Sequence, residues 1–345
     1  MTFDVARAMG VVVGGAALAL STLWGCEAHQ ATPAPPPVPR PAPNPTPPPA
    51  VPAARSFPSV PAPAALPAGV ATTPRPTLDD APDPDVAYPW ARHRPSHTSL
   101  AARFPAPKHT VRRALAASSY AHWLRHLPLR APGTAVRAYD GRVILDADDP
   151  RLGAVVDLDL IGEDLQQCAD TVLRLRAEYL RVRGDDEAIR FTYTNGWTSA
   201  WPRWRDGWRP RVVGPRDVRV FRRRADDSRD SFNAYLRDLF SYAGTISLAR
   251  EAEAVLAADV RGGDFFILPG GPGHVVVVLD LAEHDETGER FALLGQGFMP
   301  AQDFHVLRAA PERIWFRLDP RQPTATPMWD PFPWSALRRL SRHDS

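Results

Sequence analysis

Cys168, His274 and Gln296 are the residues of this chain whose types and order support nucleophilic catalysis. A thiol attacks an amide carbonyl as its thiolate, which requires a base within hydrogen-bond reach and a third group that orients the base. Cys168 stands in Asp164-Leu165-Gln166-Gln167-Cys168-Ala169-Asp170, in the first two turns of a helix expected from about residue 163 to 182. Exposed amide donors and the helix dipole favour a thiolate there. The same stretch supports a second reading. Leu165, Cys168, Ala169, Val172, Leu175 and Tyr179 follow the i, i+3, i+4, i+7 spacing of a buried face, on which cysteine is an ordinary small apolar residue. Both readings turn Cys168 toward the sheet, so spacing alone does not separate them.

His274 opens the run His274-Val275-Val276-Val277-Val278-Leu279-Asp280, directly after the loop Gly270-Gly271-Pro272-Gly273. The loop's lack of side chains would leave room for a substrate backbone. Alternation by two places His274, Val276, Val278 and Asp280 on one face. Gln296 follows the apolar run Phe291-Ala292-Leu293-Leu294. A hairpin that pairs 276 with 296, or 274 with 296, puts Gln296 beside His274, and a one-residue slip puts it on the other face. The structural alternatives are a strand-end histidine bound by loop carbonyls and a bulge or edge glutamine. On the catalytic reading Cys168 attacks, His274 removes its proton and later protonates the leaving amine, and Gln296 orients the imidazole or helps bind the oxyanion.

The elements that must hold these residues are legible in part. Thr134 to Tyr139 and Arg142 to Leu145 flank Asp140-Gly141, a hairpin signature. A helix is expected around Ser119 to Leu124, a strand from Ala154 to Leu160, and helices over Ser231 to Tyr242 and Ser247 to Val260, the latter with Ser247 as N-cap. Arg183-Gly184 closes the long helix, within which Arg174 and Glu178 form an i, i+4 pair. Asp264 to Leu268, His274 to Ala282 and Arg290 to Phe298 then read as an antiparallel meander. Helices followed by a meander indicate an α+β domain over about residues 115–340.

Other residue types narrow the chemistry. The chain carries 41 Lys+Arg against 39 Asp+Glu, a formal charge of +2, so it has no global basic field and no nucleic-acid partner is expected. Lys108 is the only lysine, which marks the arginine abundance as codon bias. Two cysteines exclude a disulfide scaffold and a four-thiolate zinc site. His274, His284 and His305 are expected on separate elements and HExxH is absent, so neither a metal nor another cofactor is expected. The glycine loop is no P-loop, since no Gly-Lys-Ser/Thr follows. Trp197, Trp201, Trp204 and Trp208 form an aromatic cluster suited to core packing or to stacking on sugar rings, and Arg222-Arg223-Arg224 with Asp226-Asp227 read as a solvated charged loop.

At the N-terminus an apolar run from Val11 to Trp24 has the length of a signal-peptide core and is short for a membrane span. It ends in Leu23-Trp24-Gly25-Cys26, which resembles the lipobox of bacterial lipoproteins. The resemblance implies a signal peptide over 1–25 and lipidation of Cys26; a plain secretory signal or an uncleaved anchor is the alternative. Of the chain's 39 prolines, 21 fall between Ala31 and Trp90, so residues 26–100 are expected to be a disordered, lipid-anchored linker. At ~3.1 Å per residue such a spacer reaches on the order of 150 Å.

The segments LQQCADTVLRLRAEYL (165–180), FTYTNGW (191–197), SYAGTISL (241–248), GDFFILPGGPGHVVVVLDLA (263–282), LLGQGFMPAQDFHVL (293–307) and TPMW (326–329) resemble the bacterial domain of unknown function 4846. That family's pattern often has Gln-Ser-Tyr where this chain has Gln296-Gly297-Phe298. The resemblance implies an exported, often lipid-anchored protein and no established activity. The order of Cys168, His274 and Gln296 is similar to that of papain-like peptidases and NlpC/P60-type amidases. It implies a papain-like α+β fold and a cysteine hydrolase that cuts an amide in the cell envelope, such as peptidoglycan peptide. The alternative is a non-catalytic envelope binding or scaffold lipoprotein. In either case the partners are an envelope polymer or peptide and, through Cys26, the membrane.

Overall fold

The computed structural model describes residues 87–91 and 98–340, all within one compact unit spanning 70–345. Cys26, the signal peptide and nearly all of the expected linker lie outside the described residues.

Six α-helices are found among the described residues: α1 (Leu100–Arg103), α2 (Tyr120–Arg125), α3 (Cys168–Val182), α4 (Trp201–Arg205), α5 (Arg229–Tyr242) and α6 (Thr245–Glu251). They accompany a nine-stranded sheet whose strands, numbered along the chain, are β1 (Thr110–Arg112), β2 (Leu152–Val155), β3 (Glu253–Ala254), β4 (Phe265–Leu268), β5 (His274–His284), β6 (Arg290–Gln296), β7 (His305–Leu307), β8 (Phe316–Leu318) and β9 (Leu337–Arg339). The order is β3-β9-β4-β5-β6-β7-β2, with β8 beside β6 and β1 beside β5, and every pairing is antiparallel. The meander β4-β5-β6 thus forms as the sequence indicates, within a mixed fold of few helices and antiparallel sheets.

The continuous apolar run of β5 has a simple cause: both faces of the sheet are covered, so no position faces water. Val275, Val277 and Leu279 pack in the main core with the stripe of α3 and with α2. Val276 and Val278 pack in a second core with Phe266, Phe332 and Leu337. The pairs Val277↔Gly295 and Val278↔Leu294 set a register that continues to 276 opposite 296.

Between Val278 and Asp280 the register shifts by a bulge. An extra residue reverses alternation beyond it. Asp280, expected on the face of His274, instead meets Arg125 of α2 at 2.7 Å and Arg112 of β1 at 2.5 Å.

Elsewhere the boundaries move for identifiable reasons. Helix α3 starts at Cys168, five residues later than expected, because the Asp164 carboxylate is held by the Ala301 amide at 2.6 Å and the Asp170 carboxylate accepts the Gln167 amide at 3.0 Å. Ser247 lies inside α6, where its hydroxyl accepts the Gly244 amide at 3.0 Å, and α6 ends at Glu251 because the chain leaves as β3. Trp201 and Trp204 are buried against Phe232 and Tyr235, which assigns those two rings to the core. The packed region begins before the boundary that proline thinning implies: Tyr88 and Trp90 are buried, with Tyr88 donating to the Trp123 carbonyl at 2.7 Å and Trp90 to that of Asp157 at 2.6 Å. Among the described residues no helix is long and apolar enough to cross a membrane.

Candidate functional site

Helix α3 brings Cys168 to the start of β5 but turns it into the core. The thiol is buried and donates to the Gly273 carbonyl at 3.8 Å. Burial, with the Asp170 carboxylate adding to it, pushes its pKa up to about 11. A helix start lowers a thiol pKa only where the thiolate is solvated or paired, and here desolvation wins.

Two of the glycines around it, Gly273 and Gly297, are closed by neighbouring groups. A methyl group on Gly273 would lie 2.4 Å from the Thr245 hydroxyl and 2.7 Å from the Leu268 carbonyl. One on Gly297 would lie 2.6 Å from the Thr171 hydroxyl. The expected space is therefore filled at Gly273 by α6 and by the chain itself, whereas Gly271 at the tip of the loop stays open.

His274 lies on the opposite face of β5. Its ring sits 4.9 Å from Phe298, 4.8 Å from Trp329 and 6.2 Å from Phe332, on the Val276 side of the sheet. The expected encounter of Cys168 with His274 is thus absent, since alternation gives consecutive strand positions to opposite faces and the thiol meets the Val275 side. No hydrogen bond joins the two among the described residues.

Gln296 does stand beside His274, as the 276–296 register requires. The His274 Nε2–H donates to Gln296 Oε1 at 2.8 Å. The Gln296 amide nitrogen lies 3.3 Å from His305 Nε2 and 3.2 Å from the Met328 sulfur. His305 Nδ1–H in turn donates to the Asp303 carbonyl at 3.0 Å. This chain of donors fits two neutral imidazoles and leaves only His274 Nδ1 without a partner. Burial holds both histidines at a pKa of about 4. His305 was not legible as a member, because only the β6–β7 pair Gln296↔His305 brings it in.

The two imidazoles carry a pH dependence of stability. Their folded pKa values lie below the ordinary 6.5, so the stabilisation is present above pH 6.5 and is lost as pH falls toward 4. Each contributes on the order of 3 kcal/mol to that loss. The variant carrying His274→Gln and His305→Gln is expected to flatten the pH 6.5-to-4 limb of a urea-denaturation series relative to wild type. An unchanged limb contradicts neutral buried histidines.

The polar opening on the helix side lies elsewhere. A cleft of about 410 Å³ runs between α2, α3, the turn at Arg261–Gly263 and β9. Arg176, Arg183, Arg261 and Arg339 line it, against the carboxylates of Asp185 and Asp264, so four positive groups face two negative ones. Arg176 and Tyr179 share one side of α3, and Arg183 is its C-terminal cap. The Arg176 guanidinium lies 4.9 Å from the Tyr120 ring centre and 5.4 Å from that of Tyr179. Arg339 holds Asp264 through two bonds of 2.6 and 2.8 Å, and Arg183 lies 3.5 Å from Asp185. Gly263, at φ +94°, is required there, because a Cβ would fall 2.6 Å from the Tyr120 ring. Sequence reading missed this cluster, whose members are spread over residues 176–339. Among the described residues no group of three or more His, Cys, Asp or Glu side chains is placed to hold a metal ion.

A family model described as Domain of unknown function (4846) matches residues 100–339. No curated protein and no solved structure matches the chain.

Proposed function

The chain belongs to that family, domain of unknown function 4846, whose description assigns no activity, and we propose that it is a non-catalytic cell-envelope binding domain whose arginine cleft holds an anionic ligand. The observation that carries this is the convergence of four guanidinium groups in a cleft of about 410 Å³, a size that suits a small ligand or one segment of a polymer. Guanidinium groups recognise carboxylate and phosphate through paired donors, and the half-buried Tyr120 ring offers an apolar flank for the rest of the ligand. Carboxylate-bearing peptidoglycan peptide has this chemistry. In this proposal the domain is exported and held on the membrane through lipid at Cys26, which the mass of the mature N-terminus reads directly.

Isothermal titration of the full chain with a soluble peptidoglycan stem peptide, and with inorganic phosphate as a second probe, tests the cleft. Wild type is expected to bind at least one of the two, and Arg261→Ala and Arg183→Ala to weaken binding by about ten-fold each, the loss of one charge-assisted contact. No binding of either probe, or wild-type binding by both variants, contradicts the assignment.

A cysteine hydrolase of papain-like type remains the second reading, favoured by one contact: the Cys168 thiol touches the carbonyl of the residue directly before His274. It requires His274 to leave Gln296 and cross to the other face of β5, and Cys168 to become accessible.

A further inference from the structure

The hairpin formed by Trp208–Val212 and Val218–Arg222 is a two-stranded ribbon that pairs with no other strand. From Trp208 to Arg224 it carries seven arginines and one aspartate, a charge of 7 − 1 = +6, while the whole chain carries +2. The rest of the chain is therefore at 2 − 6 = −4, and the positive charge is concentrated here. Arg211, Arg216, Arg219, Arg222, Arg223 and Arg224 are exposed, and none has an ion-pair partner among the described residues. The same hairpin holds four of the eight large hydrophobic side chains exposed among the described residues: Trp208, Val213, Val220 and Phe221.

Register decides how these groups are displayed. Trp208↔Arg222, Pro210↔Val220 and Val212↔Val218 place Trp208, Pro210, Val212, Val218 and Val220 on one face. Arg209, Arg211, Arg219 and Phe221 share the other. Arg222 lies over the Trp208 ring at 4.2 Å, so even the apolar face carries a cation at its edge. Trp208, Pro210 and Val220 line a recess against Trp197 and Trp204, whereas Val213 and Phe221 stand beside uncompensated arginines with about half of their surface in water, a costly arrangement for side chains that meet only solvent.

We propose that this ribbon docks on an anionic lipid bilayer through the face of Arg211, Arg219 and Phe221, with its arginines on headgroup phosphates and Phe221 and the turn residue Val213 at the boundary of the acyl region. A soluble polyanion would satisfy the arginines alone and leave the apolar side chains exposed. A bilayer interface takes both, because aromatic rings and arginines prefer the headgroup level and basic side chains gain from the surface potential. The site is separate from the arginine cleft, which has no residue in common with it.

Co-sedimentation of the full chain with vesicles of phosphatidylglycerol and phosphatidylcholine, compared with phosphatidylcholine alone, tests the proposal. Using both vesicle types isolates the charge-dependent part from any contribution of the N-terminal apolar run or an attached lipid. Wild type is expected to prefer the anionic vesicles. Replacing three exposed arginines (Arg219→Gln, Arg222→Gln, Arg223→Gln) is expected to reduce that preference on the order of 100-fold, and Phe221→Ser to weaken vesicle binding without changing binding to heparin. Far-ultraviolet circular dichroism of each variant confirms folding. Loss of neither preference overturns the proposal, as does a Phe221→Ser variant with wild-type vesicle binding, which would mark a surface for soluble polyanions.

Discussion

Replacing Asp280 with alanine is expected to destabilise the folded unit by about 3–5 kcal/mol, the cost of leaving a buried charge without its partner. Asp280 bridges Arg112 at 2.5 Å and Arg125 at 2.7 Å, and all three side chains are almost fully buried. The bulge after Val278 turns the carboxylate toward α2, so the triad ties the central strand β5 to both α2 and β1. Removing the carboxylate strands two guanidinium groups that cannot reach water. Domains of ordinary stability have only about 5–15 kcal/mol to lose, so the variant should unfold at a markedly lower urea concentration. Adding Arg125→Met to Asp280→Ala is expected to restore part of the loss, because one orphaned charge is removed with its partner. A loss below about 1 kcal/mol in the single variant would show that the pair is solvated in solution.

What the sequence reveals depends on how local the cause is. The Asp140-Gly141 hairpin forms with Gly141 at φ +84°, and α3 ends before Gly184 at φ +75°, since a left-handed residue is a local requirement. The buried stripe of α3 and the meander are likewise legible from apolar spacing. The pairing of His274 with Gln296 was legible to within one register choice. The bulge was not, because an extra residue in β5 leaves no mark in a run of valines. Nor was the filling of the glycine loop by Thr245, a residue from a separate helix. Tyr88 and Trp90 dock inside a stretch whose prolines argue against helix and strand, and the single 3-10 turn Pro89–Ala91 that carries Trp90 is all the backbone order their burial needs.

The site shows the same division. Residue types pointed to Cys168 and His274, whereas the sense of their side chains was decided by the phase of β5, which a one-position difference inverts. The arginine cleft draws one contribution from the turn after Val260 and another from the last strand, and in a chain with one lysine no single arginine stands out by type.

The state of Cys168 tests the account most directly. With its pKa at about 11, a fraction on the order of one in ten thousand is thiolate at pH 7, some hundred-fold or more below an ordinary thiol. Alkylation of the full chain with iodoacetamide at neutral pH, followed by peptide-resolved mass spectrometry so that Cys26 is scored separately, reads this. The account predicts that Cys168 in the native protein labels at least about 100-fold more slowly than in the same chain unfolded in urea, and that His274→Ala leaves the native rate unchanged. Rapid labelling of native Cys168 that falls in His274→Ala would contradict it, because only a thiolate paired with that imidazole behaves so.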